Sequence, residues 1–162
     1  MNAELQERVL TIERTVFDPL CPQLFNQNTT AILAAVLPRC QFVDRASAEQ
    51  DFTRKQVIPY VIVQHGGNFL LMRRTKKQTE TRLHDKRSLG IGGHINDADL
   101  AQGAQNVLLA GMRRELNEEV QVPDEISCEL IGVINDDSTE VARVHLGLVF
   151  LLRTASPRFT IM

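Results

Sequence analysis

Two short stretches decide the reading, Leu89–Ile95 (LGIGGHI) and Arg114–Glu119 (RELNEE). On a helix, successive residues turn by about 100°, so Glu115, Glu118 and Glu119 fall within an arc of about 100°. Carboxylates crowded on one face repel, by about a few tenths of a kcal/mol per pair even in water. Arg114 reaches Glu118 at i+4 and steadies one of them. A hard divalent cation with oxygen ligands would satisfy the others. Upstream, Gly92-Gly93 allows the backbone to approach a metal or a phosphate closely and leaves its carbonyls unobstructed. By itself, an ExxEE cluster also reads as a solvated helix face with salt bridges.

Working outward, apolar residues recur at helical spacing from about Leu100 to Val120. Ala104, Leu108 and Met112 lie four apart, with Val107, Gly111 and Leu116 on neighbouring rows. Asp99 with Gln102 three residues on has the pattern of a capping box, and Pro123 ends the run. Before the glycines, Gln56–Gln64 with its IPYVIV core reads as a strand, His65-Gly66-Gly67-Asn68 as a turn and Phe69–Met72 as the returning strand. After the helix come two more strands, Cys128–Val133 and Val144–Leu152, separated by the acidic loop Asn135–Glu140. At the other end, Val9–Phe17 (VLTIERTVF) is rich in β-branched residues and reads as a strand. Ala31–Leu37 reads as a short helix stopped near Pro38, and Cys40–Arg54 as loop or partly strand. Strands on both sides of one long helix predict an α+β domain with a mixed sheet between helices. The expected organisation is one domain over 1–162, an N-terminal extension over about 1–55 and a core over 56–155.

Length and composition agree with a globular chain. It has 162 residues, 43% hydrophobic and 23% charged, with a net charge of −2. That charge argues against a nucleic-acid coat protein. Cys21, Cys40 and Cys128 have no CxxC spacing and read as reduced thiols. Met1–Glu7 is polar and lacks the apolar run of a signal peptide, and the apolar stretches fall short of a membrane span, so a cytoplasmic protein is expected.

The segment REL-N-EE followed by Val120 resembles the second half of the Nudix box. That pattern runs Gly, five residues, Glu, seven residues, Arg-Glu-apolar-any-Glu-Glu-any-Gly-apolar. Gly93 resembles its opening glycine, so the box spans 93–122. Leu83–Asn96 (LHDKRSLGIGGHIN) is similar to the lead-in of a bacterial subgroup of predicted phosphoesterases. The chain departs from the pattern in three ways. Residues are inserted after Ile95, counting back from Arg114 puts the first glutamate on Asn106, and Gln121 stands where a glycine is expected.

The resemblance implies a metal-dependent hydrolase that cuts a diphosphate linkage in a nucleotide-like small molecule, with magnesium or manganese as cofactor. Glu118 and Glu119 are then metal ligands, and Glu115 is a third ligand or holds the attacking water. The Gly93 carbonyl is an extra ligand, and Arg114 orients Glu118. The base is one of these glutamates or a carboxylate from another loop, with Glu140 of the acidic loop the candidate, although by itself it also reads as an ordinary exposed loop acid. Arg73, Arg74 and Arg87 match phosphate oxygens bidentately, though each alone also reads as solvated. His94 is a pocket-lining candidate, while His145 reads as packing or solvent-facing and Tyr60 and Phe69 as core. No nucleic acid or membrane partner is expected, and a homodimer through the N-terminal region is consistent with the resemblance. Two other readings share the fold: a non-catalytic nucleotide-binding module, favoured by Asn106 and by the insertion, and an isopentenyl-diphosphate isomerase, whose cysteine context is not found here.

Overall fold

The computed structural model describes residues 7–73, 87–102 and 106–162. The chain opens with β1 (Arg8–Glu13), α1 (Arg14–Phe17), β2 (Phe25–Asn26), α2 (Thr29–Val36), β3 (Gln41–Asp44) and α3 (Arg45–Ala48). The central strand β4 (Arg54–His65) follows, then β5 (Asn68–Phe69), β6 (Met72–Arg73), β7 (Arg87–Ser88) and β8 (Gly90–Gly92). A 3-10 turn over Asp97–Gln102 leads to α4 (Val107–Glu119) and β9 (Val120–Gln121). The remaining elements are β10 (Glu125–Ile134), α5 (Glu140–Arg143), β11 (His145–Thr154) and β12 (Thr160–Ile161).

The main sheet is mixed and has eight strands, with the path β2-β10-β11-β4-β1-β3 and with β5 and β8 also on β4. β4 organises it. One edge runs parallel to β11 from Gln56↔His145 to His65↔Thr154. The other edge is shared in turn by β1, β8 and β5, all antiparallel. The sequence suits this position, because Val57, Val61 and Val63 alternate into the core. Pro59 is tolerated mid-strand because its carbonyl faces Gly92, so its missing N–H falls on that same edge, between the ends of β1 and β8. The hairpin after β4 turns at Gly66, whose φ is 55°. The α+β class with a large mixed sheet and helices is as expected.

One buried cluster unites the N-terminal elements with the rest: Leu10, Ile12, Phe17, Ile32 and Val36 join Val61, Leu108, Met112, Leu116 and Leu148. α4 packs on β4 and β8, while α2 packs on α1 and β10. Among the described residues no helix is long and apolar enough to cross a membrane. All three cysteines are free, and burial pushes the Cys40 thiol up to about 12.

Several local expectations are corrected. The first strand stops at Glu13, and Arg14–Phe17 forms a helical turn. Local β-propensity loses to two tertiary anchors, the complete burial of Phe17 and the hydrogen bond from Arg14 N to Thr53 O at 2.9 Å. The mixed segment after Cys40 forms β3 and then α3, capped by Asp44, which accepts from Ser47 N. The long helix begins at Val107 rather than near Leu100, and Phe69, expected in the core, is exposed on the short edge strand β5.

The acidic loop after β10 is held from below by cations of the N-terminal half. The Lys55 side chain is wholly buried. Its Nζ donates to Asn135 Oδ1 and Asp136 O, both at 2.8 Å, and pairs with Asp137 at 3.0 Å. Arg14 pairs with the same Asp137. Burial pulls the Lys55 pKa down, and Asp137 opposes that shift. Lys55→Met keeps the packing and strands these acceptors, so it is expected to lower the unfolding free energy by about 2–3 kcal/mol in urea denaturation. Arg153→Met, at the exposed pair with Glu129, should change it by less than about 1 kcal/mol.

Candidate active site

The site forms where the segment after β8 presses against α4. Two glycines permit this approach. A Cβ on Gly93 would collide with the Glu115 carboxylate, and one on Gly111 would lie 2.9 Å from both Asp99 Oδ2 and Ile95 Cγ1. A side chain at either position would have to displace Glu115, or Asp99 and Ile95, from where they now lie.

Arg114 ties the two pieces together. Its Nε and Nη2 donate to Asp99 Oδ1 and Oδ2 at 2.8 and 3.1 Å, a bidentate pair. Nη2 also donates to the His94 carbonyl at 2.7 Å, and Nη1 to Glu115 Oε1 at 2.8 Å and Glu118 Oε1 at 3.3 Å. Asp99 is 3% exposed, and its Oδ2 accepts the Asn96 N–H at 3.0 Å. Asp99 first and then Glu115 hold the Arg114 pKa above its ordinary value, against the opposing effect of burial. The expected contact with Glu118 is therefore present, alongside tighter ones to Asp99 and Glu115.

Asp99 is a site residue that the reading of the sequence missed, although its signal lies in the spacing. Counting forward from Gly93, five residues and then an acid lead to Asp99, the place of the box's first glutamate. Counting back from Arg114 leads to Asn106 only because residues 100–113 separate Asp99 from Arg114, twice the seven of the pattern. The insertion thus lies after Asp99. Asn106 instead caps α4, its Oδ1 accepting from Leu108 N and Leu109 N at 3.1 and 3.3 Å.

Glu115, Glu118 and Glu119 project from the last turns of α4, with Glu115 half-buried and Glu118 exposed. Burial raises the Glu115 pKa, Arg114 opposes the shift, and the charges of Glu118 and Glu119 add to it. The half-buried Glu115 carboxylate, the two further acids and the Gly93 backbone offer a set of oxygen donors. These donors fit magnesium or manganese in kind.

Beside this cluster lies a cavity of about 320 Å³, whose walls include Tyr60, Gly93, His94, Asp136, Val141 and His145. The Tyr60 hydroxyl accepts the Gly90 N–H at 2.8 Å, and a Cβ on Gly90 would strike its ring. His94 lies in the cavity wall as expected, and His145 stands opposite it with ring centroids 5.6 Å apart. Burial, then Arg45, His145 and Arg114, push the His94 pKa down to about 3, so its imidazole is neutral. Glu140 is the exposed first residue of α5, next to Val141 of the cavity wall. Arg73 and Arg87 are exposed cross-strand partners on β6 and β7 and do not line this cavity. Arg74 lies outside the described residues.

Asp99→Ala would leave Arg114 without its bidentate partner and Asn96 N–H without an acceptor. It is expected to lower stability by about 2–4 kcal/mol. Asn106→Ala should lower it by about 1 kcal/mol, and Asn106→Asp by almost nothing, as befits a cap. Denaturant titration of the three variants checks the order.

No family model matches the chain. Protein YmaB of Bacillus subtilis (strain 168) is 37% identical over 124 residues, 75% of this chain. That match spans 60% of YmaB's own length. The crystal structure of Tm1382, a protein assigned provisionally to the Nudix hydrolases, superposes with a TM-score of 0.72 at 31% identity. That likeness covers 96% of this chain and 85% of Tm1382. With the glycine–acid–RELNEE geometry in place, the chain belongs to the Nudix family.

Proposed function

We propose that the protein is a metal-dependent pyrophosphohydrolase, cleaving a diphosphate linkage in a nucleotide-like small molecule such as a nucleoside di- or triphosphate or a nucleotide sugar. The observation that carries this reading is the Glu115, Glu118 and Glu119 cluster with the Gly93 backbone against Glu115. The likeness to Tm1382 supports hydrolysis in general.

Glu118 and Glu119 would hold the magnesium or manganese, joined by Glu115 and the Gly93 carbonyl. Bound there, the ion supplies neutralisation of phosphate oxygens and a lower pKa for water. The chain's own residues do the rest. Arg114 spans Glu115 and Glu118 and fixes their spacing. Asp99 positions Arg114. The cavity between Tyr60, Val141 and the two histidines would take the non-phosphate part of the substrate. Glu140, which begins α5 beside that cavity, is the candidate outside α4 to assist proton transfer, and Asp136 in the cavity wall is a second carboxylate within the same region.

The non-catalytic reading loses one of the two features that favoured it, because Asp99 stands where counting back to Asn106 left the acid missing, while the insertion between Asp99 and Arg114 remains. Phosphate and pyrophosphate release across nucleotides, nucleotide sugars and dinucleotides tests the proposal. Turnover should require magnesium or manganese, vanish with chelator and return on re-addition. Glu118→Gln should lower kcat by at least about 100-fold, since even indirect partners of a metal are worth about 10–100-fold. Ligand binding without turnover at any metal concentration would overturn the enzymatic reading.

A further inference from the structure

We propose that Glu49, His94 and His145 form a second metal site, separate in chemistry from the carboxylates of α4 and suited to a zinc-class ion. The three come from distant parts of the chain. Glu49 is the C-cap of α3, His94 follows β8 and His145 opens β11. The fold nevertheless brings one ligand atom of each to within 4.8 Å of the others. His94 Nε2 is buried, makes no hydrogen bond, and faces Glu49 Oε1 at 3.8 Å. A buried imidazole nitrogen at that distance from a carboxylate oxygen is too far for a hydrogen bond but suitably spaced for both to bind one ion.

The distances can be closed. Zinc bonds of about 2.0–2.2 Å set tetrahedral ligand atoms roughly 3.4 Å apart, so side-chain shifts on the order of an ångström suffice. The His94 main chain need not move, because its carbonyl is already held by Arg114 at 2.7 Å. Arg45 is the competing cation: its Nε lies 3.8 Å from Glu49 Oε1, while its Nη1 holds Glu7 at 2.7 Å. An ion would replace Arg45 at Glu49 and leave the Glu7 pair intact.

The donor set decides the metal. Two imidazoles and one carboxylate suit zinc, cobalt or nickel, whereas magnesium favours oxygen throughout. Bound ion would clamp α3 to the segment that carries Gly93 and to the start of β11, in the cavity wall formed by the two histidines. The site stands on its own geometry and does not depend on the hydrolase reading.

Cobalt is the probe. The full chain is titrated with Co2+ in excess Mg2+, reading visible absorption of four-coordinate cobalt and stoichiometry by equilibrium dialysis. Wild type and Glu118→Gln should both bind one equivalent. His145→Gln and the surface change Glu49→Gln should weaken binding by at least about tenfold, with circular dichroism showing that both are folded. No cobalt bound under magnesium, full binding kept by Glu49→Gln, or binding lost in Glu118→Gln would each overturn the proposal.

Discussion

The Arg114 guanidinium is the junction on which the candidate site depends. Its rigid fork of donors spans two pieces of chain that meet only in the fold: the segment from His94 to Asp99 and the last turns of α4. Asp99 is almost fully buried, so the pair has exchanged water for each other, and removing either partner leaves a polar group stranded. The same cation lies between Glu115 and Glu118, holding apart two acids that would otherwise repel. A lysine could not replace it, because a point charge lacks the fork that reaches Asp99, the His94 carbonyl and Glu115 together. Gly93 and Gly111 complete the arrangement by leaving the space that Glu115, Asp99 and Ile95 occupy between the segment and the helix.

The sheet determines what faces this junction. β4 carries Tyr60 toward Gly90, while β11, running parallel to it, brings His145 opposite His94. The far wall of the cavity is the loop from Asn135 into α5, and it is braced by cations from the N-terminal half, Lys55 beneath and Arg14 beside. The N-terminal elements are thus part of the sheet and of the support for the cavity. They also contribute Glu49, which offers a carboxylate oxygen within 4.8 Å of a ring nitrogen of each histidine.

Much of this is legible in the sequence because it is local or periodic. The RELNEE face needs only the helical repeat, β4 needs only its alternating valines, and the turn at Gly66 needs only its glycines. What is not legible depends on distance along the chain. Asp99 and Arg114 are partners across an insertion, so counting from Arg114 alone mistakes a helix cap, Asn106, for the lost acid. Counting from Gly93 finds the partner. Residues 14–17 look like strand because Val16 and Phe17 favour it, but burial of Phe17 and the bond to Thr53 make them helix. The pairing of β9 with β12 and the Glu49–His94–His145 cluster carry no local signal at all.

In the proposed hydrolase the α4 carboxylates and the Gly93 carbonyl together hold a divalent ion. Anomalous diffraction from crystals grown with manganese tests it most directly. The expected result is a peak at about 2.0–2.6 Å from oxygens of Glu118 and Glu119, with Glu115 and the Gly93 carbonyl completing the protein's share of the ligands. Crystals saturated with manganese that show no peak at the α4 carboxylates would contradict it.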